Sequence, residues 1–183
     1  MSEEMIVRHC SPTLAGLKTG NLFVCSFSQE ATLRTEICRL NRRLGKKGVC
    51  ILPLRMKDGS ALIYVYRPKR LATDFSREEV LSLLRQHGYF CSTSAGCILR
   101  LMERLKNASE FPHEIGLFLG YPPEDVNGFI ENKAKAAKCT GAWKVYGDEA
   151  AAKTLFAKYK KCTDVYLSQL IRGNTIDRLT VKV

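Results

Sequence analysis

The residues with the clearest capacity for chemistry are a thiol beside an imidazole near the N-terminus, His9-Cys10, and a second imidazole beside a carboxylate, His113-Glu114. A cysteine nucleophile needs a base that reaches it in space rather than in sequence. Successive residues of an extended segment point to opposite faces, so His9 next to Cys10 is not by itself a dyad, and His113 is the alternative base. Cys10 and His9 are nonetheless the candidate catalytic residues. A small thiol-dependent or redox enzyme built on Cys10 predicts selective alkylation there and a depressed thiol pKa. His113-Glu114 opens like half of a zinc-protease helix, but Ile115-Gly116-Leu117 follows and no second histidine stands one turn later. The eight cysteines lack any paired C-x-x-C spacing, so no metal site is assigned. No Walker loop or glycine-rich dinucleotide fingerprint is present either, which leaves the cofactor unknown.

Other patterns suit binding better than catalysis. Cys91-Ser92-Thr93-Ser94-Ala95-Gly96-Cys97 leads into a predicted helix like the phosphate-cradling loop of a cysteine phosphatase. In that pattern an arginine stands six positions after the thiolate; here Cys97 occupies the place and Arg100 lies a turn further on. The anion clamp is missing, and the stretch reads as a Ser/Thr helix cap flanked by two buried cysteines. The polar stretch His9 to Lys18 offers Thr13 and Lys18, the latter suited to an anionic group. Closed against a corner carrying His113, Glu114 and Tyr121, it would form a site for a small anionic ligand.

Charge gives a competing reading. The net charge is +11, and residues 1 to 72 hold 13 Lys and Arg against 5 Asp and Glu. Arg39, Arg42, Arg43, Lys46 and Lys47 concentrate that excess, a field able to attract nucleic acid, a phosphorylated ligand or an acidic protein partner. The corner Gly120-Tyr121-Pro122 suggests a helix-turn-helix, but its second helix begins Glu124-Asp125, which would repel a phosphate backbone.

These residues must be positioned by recognisable elements. Residues 5 to 20 read as a short extended piece and a loop punctuated by Pro12, Gly16 and Gly20. Asn21 to Phe27 is an apolar strand, and Ser28 caps a helix with Leu33, Ile37, Leu40 and Leu44 at helical spacing. Gly48 to Arg55 and Ser60 to Arg67 form a hairpin around Lys57-Asp58-Gly59, with Pro53 implying an edge or bulged strand. Ser76 with Glu79 predicts a capping box, and a further helix covers Ser94 to Lys106. The most constrained stretch is Phe111 to Asn132. Pro112 and Pro123 suit first helical turns, Gly120 ends the first helix, and Gly128 inside the second implies close approach by another backbone or a ligand. Ala142 to Tyr146 reads as a strand. Asp148 caps the longest helix, with a stripe of Leu155, Phe156, Tyr159, Cys162, Tyr166 and Leu170, and Arg178 to Val183 reads as a final strand.

The expected fold class is therefore α+β: a small mixed or antiparallel sheet packed with about six helices, the second half helix-rich. A chain of 183 residues with 45% hydrophobic content buries a real core as one globular domain, residues 1–183, with a possible subdomain junction near 72–75. No run approaches a membrane span and the N-terminus lacks a signal-peptide pattern, so a cytoplasmic protein without a membrane partner is expected.

Phe111-Pro112-His113-Glu114-Ile115-Gly116 through Gly120-Tyr121-Pro122, the later Trp143-Lys144-Val145-Tyr146-Gly147-Asp148 and the early His9-Cys10-Ser11-Pro12-Thr13-Leu14-Ala15-Gly16 carry a resemblance. They resemble an uncharacterised family of anaerobic Gram-positive bacteria, the domain of unknown function 3793. The resemblance covers nearly the whole chain. It implies a cytoplasmic setting and brings no activity, fold or ligand with it.

Overall fold

The computed structural model describes residues 1–107 and 110–182. Its elements run α1 (Glu3–Leu14), β1 (Gly20–Ser26), α2 (Glu30–Leu44), a 3-10 turn (Gly45–Lys47), β2 (Cys50–Lys57), β3 (Ser60–Tyr66), α3 (Pro68–Phe75), α4 (Glu78–Gln86) and α5 (Ser94–Asn107). They continue with α6 (Ile115–Phe118), α7 (Pro123–Glu131), β4 (Cys139–Thr140), β5 (Lys144–Val145), α8 (Glu149–Ile171) and α9 (Ile176–Leu179). The class is α+β, with antiparallel sheets and more helices than the periodicity alone picks out. The chain divides into two compact units, Met1–Lys69 with Tyr159–Val183, and Arg70–Lys158.

In the first unit the sheet order is β1-β3-β2, all antiparallel. Asp58 and Gly59 both take positive φ, 49° and 72°, as a two-residue hairpin turn requires, and Lys57 faces Ser60 across it. The register slips between Pro53 and Arg55, so β2 is both an edge strand and bulged, the two accommodations open to a strand proline. Phe23, Cys25, Ile51, Ala61, Ile63 and Val65 enter the core with Leu33, Ile37, Leu40 and Leu44 of α2. Asn41 clamps helix to strand, its amide nitrogen donating to the Ile51 carbonyl and its oxygen accepting the Ile51 N–H, both at 2.8 Å.

Residues 5 to 20 differ from expectation. Most of them form α1, whose N-cap Ser2 accepts the Met5 N–H at 3.2 Å. Ile6, Val7, Cys10 and Leu14 recur on one buried helical face. Pro12 sits in the last turn, where it removes a single helical bond, while its carbonyl accepts from the N–H groups of Leu17 and Lys18. Gly16, at φ 74°, ends the element.

The segment 178–182 also differs from the expected strand: Ile176–Leu179 form α9 and no strand follows among the described residues, with Val183 lying outside them. Long cations hold it. Arg43 pairs with Asp177 and, at 2.8 Å, with Glu3, and Lys47 donates to the carbonyls of Asp177 and Thr180. Arg67, only 2% exposed, donates to the carbonyls of Thr13 (2.7 Å), Leu14 (2.6 Å), Val181 (2.8 Å) and Lys47 (3.1 Å). One guanidinium thereby ties the end of α1, the 3-10 turn and the segment after α9 together.

In the second unit Phe118 meets Phe75 edge-on at 4.9 Å and Tyr89 at 5.7 Å, within a core that includes Val80, Leu84, Leu101 and Leu105. The proposed capping box at Ser76 is absent, because the Ser76 hydroxyl donates back to the Thr73 carbonyl at the end of α3. Asp148 does cap α8, accepting the Ala151 N–H at 3.0 Å. At Gly128 the nearest neighbour is a side chain: a Cβ there would lie 2.5 Å from the ring of Tyr146.

Candidate functional site

The corner between α6 and α7 is built so that a polar residue on α7 organises the following hairpin. Pro123 starts α7 and puts Glu124 and Asp125 in its first turn, but only Glu124 stays in solvent. Asp125 is 3% exposed and its carboxylate accepts three hydrogen bonds: from the Trp143 indole at 2.6 Å, and from the backbone N–H groups of Tyr146 and Gly147 at 2.7 Å each. A buried charge with three donors is well satisfied, and it fixes the indole orientation.

Trp143 then stacks obliquely on Tyr121 at 4.7 Å and meets Phe156 edge-on at 4.6 Å. Tyr121 is held in turn by its hydroxyl, which donates to the Ala142 carbonyl at 3.1 Å. Gly116 permits the arrangement, since a Cβ there would come within 2.8 Å of Val126 and 3.1 Å of the Tyr121 ring. What remains open is a cavity of about 170 Å³ whose walls include His113, Leu119, Tyr121, Val126, Phe129 and Trp143, with Lys144 at its margin. His113 is exposed and packs edge-on to Phe129 at 4.9 Å. The wall is largely aromatic and apolar.

Glu114 points elsewhere. It is 2% exposed, accepts the Tyr89 hydroxyl at 2.8 Å and lies 2.8 Å from Nε of Arg104, which also donates to the His87 carbonyl. Burial and the adjacent Glu114 carboxylate push the Tyr89 phenol far above its ordinary range. This is a structural pair that anchors the segment before α6.

The other expected site residues lie in the first unit. Cys10 is fully buried, and desolvation drives its thiol well above the ordinary cysteine range, the reverse of an activated nucleophile. His9 is exposed and stacks on Phe23 at 5.3 Å. Thr13 is buried and donates its hydroxyl to Asn21 at 2.7 Å. Lys18 is 4% exposed, with its ammonium 6.0 Å from the centre of the Tyr159 ring, and desolvation lowers its pKa to about 8. Of the basic cluster, Arg43 and Lys47 bind the C-terminal segment and Arg39 pairs with Glu36 at 3.3 Å, while Arg42 and Lys46 are exposed.

The sequence names His113 and Tyr121 together, and both line this cavity, as does Phe129, which it does not single out. Trp143 was visible as an aromatic on a short strand, but its meeting with Tyr121 depends on the Asp125 bond across 18 residues. Among the described residues no group of three or more His, Cys, Asp or Glu could hold a metal ion, and no helix is long and apolar enough to cross a membrane.

No curated protein and no solved structure matches the chain. A family model does: it spans residues 6–180, and with that coverage the chain belongs to the family described as protein of unknown function DUF3793.

Proposed function

We propose that the second unit binds a small planar molecule, a single aromatic or heteroaromatic ring with an anionic substituent, in the cavity beside Trp143. The observation that carries this reading is the aromatic enclosure itself. Tyr121, Phe129 and Trp143 surround a space of about 170 Å³, and the Asp125 bonds hold the indole in place before any ligand arrives. A space of that order suits one ring, as an apolar cavity of ~150 Å³ takes benzene. Flat ligands gain from stacking and edge contacts with such walls. His113, exposed, and Lys144, whose ammonium also donates to the Ala134 carbonyl at 2.6 Å, supply the polar lining that favours a carboxylate or similar group. Preorganisation and an apolar wall with few polar groups are the usual attributes of a binding pocket. Nothing in this arrangement pairs a nucleophile with a base, so binding rather than covalent catalysis is the role it supports.

The test is a fluorescence titration of Trp143, the single tryptophan of the chain, with benzoate, nicotinate and cyclohexanecarboxylate. The two flat acids quench or shift the emission saturably, and the saturated ring does so at least several-fold more weakly. Phe129→Ala weakens binding of the flat acids by about twofold to tenfold, the worth of one aromatic contact. His113→Ala lowers affinity for benzoate more than for neutral benzamide. Equal responses to flat and saturated acids, or none to either, would overturn the reading.

A further inference from the structure

The Cys91 to Cys97 stretch has a capacity separate from the aromatic cavity. Thr93 caps the first turn of α5, its hydroxyl accepting the Gly96 N–H at 3.1 Å and its carbonyl the Cys97 N–H at 3.1 Å. That cap folds the preceding loop back over the helix. A Cβ at position 96 would lie 3.2 Å from the Cys91 Cβ and 3.7 Å from its Sγ, so the glycine is what lets Cys91 rest there. The Cys91 sulfur thus packs against the residue that directly precedes Cys97. Both line one cleft of about 330 Å³, bordered by Tyr89, Phe90, Arg85 and Ser92. Cys97 is buried, Cys91 is half-buried, and Phe90 in the same cleft is 84% exposed.

We propose that Cys91 and Cys97 form a dithiol site that exchanges with low-molecular-weight disulfides and closes to an intramolecular disulfide. Cys91, the more accessible sulfur, attacks the disulfide RSSR; the S–S bond breaks, an RS–Cys91 bond forms and one RS⁻ leaves, taking up the proton that Cys91 gave. Cys97 then attacks the Cys91 sulfur, surrenders its proton and displaces the second RSH. The sum is two protein thiols plus RSSR giving one protein disulfide plus two RSH. The protein loses two electrons and two hydrogens, and RSSR gains them.

The division of roles follows from the surroundings. Burial first, then the charge and hydrogen bond of Cys91, push the Cys97 thiol up to about 12. Both contributions from Cys91 disappear once its sulfur is in a mixed disulfide, so the resolving thiol becomes easier to ionise after the first step. A resolving thiol tethered six positions away has an effective concentration of about millimolar or more, which favours ring closure over a persistent mixed disulfide. Such pairs in a reducing compartment are redox-responsive rather than permanent.

The experiment treats the whole native chain with glutathione disulfide, quenches, unfolds it in excess alkylating agent and maps the peptides by mass. The expected product has a Cys91–Cys97 bridge two hydrogens lighter than the dithiol, at least about tenfold more abundant than mixed disulfide at Cys91. Exposed Cys38 serves as internal comparison and accumulates mixed disulfide. Cys97→Ser traps the mixed disulfide at Cys91, and Cys91→Ser leaves Cys97 as dithiol-free thiol that still alkylates after unfolding. A wild-type chain in which Cys91 stays as a mixed disulfide, or in which neither cysteine reacts while Cys38 does, would overturn the proposal. The wild-type result decides it even if a variant misfolds, and it is independent of ligand binding beside Trp143.

Discussion

Replacing Asp125 by Ala tests the claim that one carboxylate organises the aromatic site. The change removes the acceptor of the Trp143 indole N–H and of two backbone N–H groups, those of Tyr146 and Gly147. Each buried donor left without a partner costs about 1–3 kcal/mol. Trp143 is buried, but Tyr146 and Gly147 are half-buried, so water recovers part of the loss at the two amides. A total of about 3–5 kcal/mol is expected, a large part of the ~5–15 kcal/mol by which small domains are stable. Trp143 reports it directly as the single tryptophan: in urea the Asp125→Ala midpoint falls, and the native emission shifts to the red as the indole loses its place. Asp125→Asn loses less, because one amide oxygen still accepts. Glu124→Ala, at the exposed neighbouring position, stays within about 0.5 kcal/mol of the parent. An Asp125→Ala protein as stable as the Glu124→Ala control, with unshifted emission, would refute the reasoning.

Arg67→Met leaves four carbonyls without their shared donor and is expected to cost about 3–5 kcal/mol, read as a lowered unfolding midpoint by far-UV circular dichroism. Lys18 gives a pH signature. Its ammonium loses its proton near pH 8 when folded and near 10.5 when unfolded, so across that interval the unfolded chain binds more protons at this group and its contribution to stability rises with pH by up to ~1.4 kcal/mol per unit. From about pH 8 upward the unfolded thiols of Cys10, Cys50, Cys97 and Cys162 ionise while the folded ones, all raised, stay protonated, and together they oppose and outweigh the Lys18 contribution. Urea midpoints should therefore stay level or fall between pH 8 and 9, and Lys18→Met should make them fall more steeply over that interval, by the equivalent of about 1 kcal/mol. Tyr146→Phe removes a buried hydroxyl that has no hydrogen-bond partner among the described residues, so the variant should be unchanged or up to ~1 kcal/mol more stable in the same urea titration.

Local signals carried much of the fold. The hairpin was legible because Asp58-Gly59 sits between alternating apolar runs, and Pro53 announced the bulge that its missing N–H makes necessary. The helical period of Leu33, Ile37, Leu40 and Leu44 was equally plain. Two ends were misread for opposite reasons. Pro12 and Gly16 hid α1, although a proline near a helix end costs one bond and Ile6, Val7, Cys10 and Leu14 more than offset it by burial. The alternation in residues 178 to 183 imitated a strand, but over the described residues 176–182 Arg43, Lys47 and Arg67 hold a short helix and its tail, contacts more than 100 residues apart in sequence.

The site was legible to the same extent. His113 and Tyr121 stood out because prolines and glycines marked their corner. Thr13, Lys18 and Cys10 looked like an accessible polar loop only while α1 went unrecognised; on that helix and the turn after it all three are buried. Asp125 looked like a dipole-matching acid, and nothing local distinguishes it from Glu124. Its role appears only when the later hairpin brings an indole and two amides to it.

The most direct test of ligand binding in the second unit is a methyl-resolved NMR titration of the full chain with nicotinate, following Ile115, Leu119 and Val126 beside Trp143. Saturable shifts confined to these methyls and the Trp143 indole are predicted. Unmoved cavity methyls at millimolar ligand, or shifts centred on another part of the chain, would contradict the account.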